Sequence, residues 1–174
     1  MKMNDNDAIT ILIVEDELNL RELWARVVAP LANVRCATSV REALALIDQS
    51  DIMLLDWMLG GESAQPVLDE WMARRGGPCC VVTGALHNPL LMDLYALGVY
   101  HAILKPISID ALTSILRRYV HHVRQARLEV QLTGEIKRMM REINRLRNYV
   151  FIMAVALAAV IGPNVFQYLS KLLV

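Results

Sequence analysis

Four short apolar runs in the first two thirds of the chain each lead into a charged or hydroxyl-bearing residue. TILIVED (10–16) and DIMLLD (51–56) end in acids, CVVT (80–83) ends in a threonine, and residues 102–104 run into Lys105-Pro106. A continuous apolar run without alternation predicts a strand covered on both faces. Between the runs lie amphipathic segments. Leu20, Leu23, Trp24, Val27, Val28 and Leu31 recur at helical spacing, and residues 34–38 read as a further short strand. Ser39 with Glu42 reads as a capping box opening a helix through about Gln49. Residues 63–75 read as a helix stopped by Gly76-Gly77-Pro78, and 89–97 as one ended by Gly98. Strands that alternate with helices are joined by crossovers, which predicts a parallel sheet with helices on both faces. The expected fold is a doubly wound five-stranded parallel α/β domain.

Ligands of such sheets bind outside the carboxyl ends of the strands. The polar residues there are Glu15 and Asp16 after the first strand, Asp56 after the third, Thr83 after the fourth and Lys105 after the fifth. Each alone is a weak signal, since an Asp after a strand usually caps a helix and a Lys before Pro is usually solvated. Together, three carboxylates, a hydroxyl and an ammonium make an oxygen-rich cation site with a counter-charge for an anion.

ILIVEDE, IMLLDWML, VVTG and ILKP, in this order and spacing, closely resemble the receiver domain of two-component response regulators over about residues 8–122. The resemblance implies a flavodoxin-like fold and phosphoryl transfer to Asp56 from a histidine kinase or phosphotransfer protein. It implies that Glu15 and Asp16 hold Mg²⁺ together with Asp56 and the backbone carbonyl of Met58. Thr83 matches the family's switch hydroxyl, and Lys105 the lysine that pairs with the phosphoryl group, with a cis Lys105-Pro106 peptide. The chemistry agrees: magnesium takes a few carboxylates plus waters and phosphate oxygens, and phosphoryl transfer needs mostly positioning and charge neutralisation. On this reading the chain is a phosphoacceptor and not an enzyme acting on another substrate. Two departures stand out. The aromatic that the family places three residues before its lysine is Ala102 here, and Gly60-Gly61 after Asp56 predicts a looser loop. Strand alternation sends His101 to the opposite face from Ala102. His121-His122 read as solvated residues near a helix end.

Cys36, Cys79 and Cys80 lack metal-ligand spacing and read as small core hydrophobes in a reducing compartment. The N-terminus, MKMNDNDAIT, has no apolar stretch of signal-peptide kind. The formal net charge of 0 hides a segregation: residues 1–109 carry −6 and residues 110–148 carry +5, leaving only Lys171 beyond. Hydrophobic residues make up 55% of the chain, more than a soluble core of this size needs, so part of the excess is expected outside it.

That excess lies at the C-terminus. From about Asp110 the helical pattern continues without Pro until residue 163. Leu132, Ile136, Met139, Ile143, Leu146, Val150 and Met153 alternate gaps of four and three, a heptad pattern with β-branched a positions and Leu or Met at d. This favours a parallel two-stranded coil over 132–153, with Glu142 at g facing Arg147 of a second copy at e. A lone amphipathic helix packed back on the domain is the alternative. Residues 149–161 are 13 unbroken apolar positions, and extension to Leu169 gives 21. At about 1.5 Å per residue that length matches a hydrocarbon core of roughly 30 Å. Tyr149 and Tyr168 sit where interfacial aromatics belong, and five Lys/Arg within 137–147 place the N-terminal side in the cytoplasm. The expected organisation is a receiver over 8–122, a basic helical linker over 123–148 and a membrane segment over 149–174. A hairpin turning at Gly162-Pro163-Asn164 and a soluble oligomerisation core are the other readings of the tail.

The expected function is therefore a response regulator tethered to the cytoplasmic membrane, its receiver facing the cytoplasm and its output running through the coil. After residue 122 coil and tail account for the chain, leaving no room for a DNA-binding domain, and anionic headgroups suit the basic linker better than nucleic acid. The alternative is a constitutive membrane-anchored scaffold with a receiver-like fold and no phosphorylation switch.

Overall fold

The computed structural model describes residues 8–85 and 87–172, with side chains described through residue 159 apart from residue 158. Within it are two compact units, Met1–Ala126 and Arg127–Val174. In the first, five strands form one sheet: β1 (Thr10–Val14), β2 (Asn33–Ala37), β3 (Ile52–Asp56), β6 (Cys79–Thr83) and β7 (His101–Leu104). Their order is β2-β1-β3-β6-β7 and every pairing is parallel. The helices are α1 (Leu18–Val28), α2 (Val40–Leu46), α3 (Gln65–Arg74), α4 (Asn88–Ala96) and α5 (Ile109–Leu172). The doubly wound parallel sheet expected from the apolar runs is thus present.

Period-two alternation divides the core in two. Leu12, Val14, Met53, Leu55 and Val81 face Trp71 of α3 and Leu94 of α4. Ile11, Ile13, Ile52, Leu54, Cys80 and Val82 face Trp24 and Val28 of α1 and Leu112 and Leu116 of α5. Strands β3 and β6 are buried along their whole length, as their unbroken apolar sequences require. The order of strands reverses at β1, which has β2 on one side and β3 on the other. This switch point opens a crevice at the carboxyl ends of β1 and β3, where Glu15 and Asp16 meet Asp56.

Several local expectations are corrected. Cys36 is exposed rather than part of the core, because β2 is an edge strand with mostly solvent-facing residues. Cys79 and Cys80 are buried, and burial pushes both thiols up, Cys80 to about 12, so they stay protonated. The Ser39 side chain accepts from Glu42 N–H, but the Glu42 carboxylate reaches back one residue further, to the N–H and hydroxyl of Thr38. The helix it opens ends at Leu46 and tightens into a 3₁₀ turn over Ile47–Gln49.

The segment after Asp56 is not a loose loop. Met58–Leu59 (β4) and Glu62–Ser63 (β5) pair as a two-stranded antiparallel hairpin. Gly60 and Gly61 form its turn at φ 58° and 88°. Two consecutive left-handed residues twist a two-residue turn with the hand of the strands, and glycine adopts them without a Cβ penalty.

The described residues of the second unit are the remainder of α5. The heptad residues Leu132, Ile136, Met139, Ile143, Leu146, Val150 and Met153 are all exposed. The backbone stays helical through Gly162, Pro163 and Asn164, so the hairpin reading of the tail does not hold. Among the described residues no helix is long and apolar enough to cross a membrane. The side chains of residues 160–174, on which most of the membrane-segment reading falls, lie outside the described residues.

Candidate functional site

The site is assembled by strand ends. Strand β1 delivers Glu15 and Asp16, β3 delivers Asp56, β6 ends at Thr83 and β7 leads into Lys105. One carboxylate oxygen from each of Glu15, Asp16 and Asp56 lies within 4.8 Å of the others. Glu15 and Asp56 are buried, while Asp16 is exposed. Lys105 Nζ donates to Glu15 Oε2 at 3.0 Å and to Asp56 Oδ2 at 2.8 Å. The Lys105 N–H also donates to the Thr83 carbonyl at 2.8 Å, which continues the β6–β7 ladder and fixes where that side chain starts. The Trp24 ring lies 5.6 Å from the ammonium, close enough for a cation–π contact.

The electrostatics follow from this crowding. Burial raises the pKa of Glu15 to about 6; the Lys105 hydrogen bond opposes the rise and the Asp56 charge adds to it. Burial works against the Lys105 ammonium, but its bonds to Asp56 and Glu15 outweigh that, so its pKa is raised and it stays charged. Three carboxylates against one ammonium leave an excess of negative charge. The donors are all oxygen and few, a set that fits a hard divalent ion completed by water and phosphoryl oxygens. Residues Glu15, Asp16 and Asp56 would hold such an ion.

Secondary contacts shape the acidic loop. Arg21 Nη1 donates to the carbonyls of Glu15 and Asp16 at 2.9 and 3.0 Å, holding the chain where it turns from β1 into α1. Asp16 Oδ2 accepts from Gly60 N–H at 2.9 Å, so the hairpin is tied to the acidic cluster. Met58 donates its N–H to Asp56 Oδ1 at 3.3 Å. The Thr83 hydroxyl turns into its own loop, donating to the Ala85 carbonyl and accepting from Ala85 N–H. The structure therefore brings Glu15, Asp16, Asp56 and Lys105 into one cluster, with Thr83 buried at the same sheet edge and its hydroxyl bonded locally. The sequence reading missed Arg21, and it named Gly60 only as part of a loose loop, without its bond to Asp16. An arginine in the first turn after an acidic strand end was the available signal for Arg21.

Next to Lys105, an apolar cavity of about 460 Å³ runs between α1 and the start of α5, lined by Leu20, Leu23, Trp24, Ile107, Ile109 and Leu112 among others. Ala102 packs with the α4 side of the core while His101 lies against Tyr119 of α5, as alternation required. His121 and His122 are exposed. The Lys105-Pro106 peptide is cis.

The family model of the response regulator receiver domain matches residues 11–117. No curated protein matches the chain. Among solved structures, the signal receiver domain of a putative LuxO repressor protein from Vibrio parahaemolyticus is 22% identical at a TM-score of 0.64, with 70% of this chain and 96% of that one covered. A CheY-like receiver domain protein from Methanospirillum hungatei is 20% identical at 0.62, covering 68% and 98%. NtrX from Brucella abortus, solved in complex with ATP, is 26% identical at 0.61, covering 72% of this chain and 30% of that longer one.

Proposed function

The chain belongs to the response regulator receiver family, and on that premise we propose that it accepts a phosphoryl group on Asp56 from a histidine kinase or phosphotransfer protein. The observation that carries this reading is the Lys105 ammonium held between Asp56 and Glu15, with Asp16 completing an oxygen cluster. A nucleophilic carboxylate needs its charge and that of the incoming phosphoryl group neutralised. In this reading Lys105 supplies one counter-charge and Thr83 donates to a phosphoryl oxygen, while Glu15, Asp16, Asp56 and the Met58 carbonyl would hold Mg²⁺, which would supply the other counter-charge. The apolar cavity supports an approaching partner helix, since its lining includes Lys105, whose ammonium bonds to Asp56.

Full-length protein incubated with a small phosphodonor and Mg²⁺ should gain an acid-stable, base-labile phosphate. Asp16→Asn should still label, but only at raised magnesium, because it removes one ligand charge and leaves Asp56 in place. Magnesium dependence identical to that of the parent would take Asp16 out of the ligand set.

Output in this reading runs through a parallel coil over 132–153. Its support is the heptad pattern together with the exposure of every a and d residue. Single cysteines at Met139 and Leu146 in a cysteine-free background should cross-link between copies, to a different extent with and without phosphodonor. Strong cross-linking indifferent to phosphorylation would favour the constitutive scaffold, a reading that Ala102 and the locally bonded Thr83 hydroxyl support.

The tail, 149–174, is proposed to tether the protein to the cytoplasmic membrane with the receiver on the cytoplasmic side. Thirteen apolar positions preceded by five basic ones support it. Truncation after Arg147 should move the protein from the membrane pellet to the supernatant; full-length protein that is soluble without detergent would make the tail an oligomerisation element instead.

A further inference from the structure

At the amino ends of β6 and β7, the edge of the sheet opposite the acidic cluster, a chain of hydrogen bonds ends on a guanidinium in the lining of a second cavity. Tyr119 Oη donates to the Cys79 carbonyl at 2.9 Å. Its only proton is thereby used, so toward His101, 2.8 Å away, it acts as the acceptor. His101 Nδ1 therefore carries the proton of a neutral ring, and Nε2 accepts from Arg118 Nη2 at 3.3 Å. The His101 and Tyr119 rings meet edge to face at 5.3 Å, which holds the imidazole in this orientation.

Arg118 thus has its fork oriented by a neutral acceptor. No carboxylate among the described residues forms an ion pair with it. It borders a cavity of about 320 Å³ lined by Gly77, Tyr100, His101, Tyr119 and His122 among others, and no Asp or Glu lines that cavity. Burial keeps the Tyr119 phenol protonated and lowers the pKa of His101, with Arg118 adding to the latter. The lining therefore offers an exposed cation oriented by one hydrogen bond, an exposed second imidazole and no carboxylate. Its volume is at the lower end of small-ligand sites.

We propose that this cavity binds a small oxyanion of the phosphoryl type, held by the Arg118 fork and by His122. A guanidinium presents parallel N–H groups that match two oxygens of one phosphoryl group, and prior orientation reduces the ordering cost of that contact. Because the fork sits on α5 and is tied to His101 of β7, a bound oxyanion would hold that part of α5 against the sheet edge.

The test uses the full-length protein in a phosphate-free maltoside detergent, with ¹³C-labelled histidine and no added magnesium. Inorganic phosphate is titrated at constant pH and ionic strength, with chloride as the balancing anion, and the ring resonances are assigned through His101→Gln and His122→Gln. Saturable shifts of His101 and His122 are expected. Arg118→Gln should abolish them and Arg118→Lys, which keeps the charge but loses the fork, should weaken binding severalfold. Asp56→Asn should leave the shifts unchanged, since the acidic cluster lies at the other sheet edge. Non-saturating shifts, shifts that survive in Arg118→Gln, or shifts lost in Asp56→Asn would each overturn the site. Should Arg118→Gln fail to fold, Arg118→Lys decides: unaltered affinity there would exclude recognition by the fork.

Discussion

Asp56→Asn is expected to take up no phosphate from a small phosphodonor while unfolding within about 1 kcal/mol of the parent protein. The two halves of that result have separate causes. An amide oxygen cannot form the acyl phosphate, so labelling falls to background however well Lys105 and the acidic pair remain placed. Stability changes little because two effects oppose each other. The variant removes one of two buried like charges, relieving Glu15, yet it keeps an acceptor for the Lys105 ammonium 2.8 Å away. Labelling with radioactive phosphodonor and a thermal melt check both halves. Full labelling of the variant would move the phosphoacceptor to another carboxylate, and a large loss of stability would mean that Asp56 holds the crevice together rather than serving its chemistry.

Trp71→Ala is expected to have the largest effect on folding. Trp71 is wholly buried on the α3 side of the sheet, and its indole N–H donates to the Gly77 carbonyl at 2.9 Å. Truncation leaves a cavity that costs about 3–5 kcal/mol, and it leaves that carbonyl without its donor. Domains of this size have a total stability of about 5–15 kcal/mol. With a urea slope of roughly 1–3 kcal/mol per M, the midpoint should fall by about 2 M. Trp57, only half-buried, serves as the comparison, and its alanine variant should shift the midpoint much less. Both tryptophans belong to the same face of the core, so equal shifts would mean that the full burial of Trp71 does not set the size of the loss.

The pattern of strands and the chemistry at their ends was legible from the residues because both are local. An unbroken apolar run such as Ile52–Leu55 reports burial on both faces by itself, and the residue that follows it lies at a sheet edge wherever the strand is placed. Strand periodicity likewise assigned His101 and Ala102 to opposite faces. Edge position is not local, which is why Cys36 was misread: β2 has core-like residues in its sequence, but only one neighbouring strand covers it. The Gly60-Gly61 pair was ambiguous for a related reason. Glycines permit both a loose loop and a tight left-handed turn, and pairing of Met58 with Ser63 selects the second. Contacts between distant parts of the chain required the strand order itself. Gly60 reaches Asp16 across 44 residues, Lys105 reaches Glu15 across 90, and Tyr119 reaches Cys79 across 40. No periodicity carries such distances; they arise when the sheet and the helices packed on it set residues remote in the chain side by side.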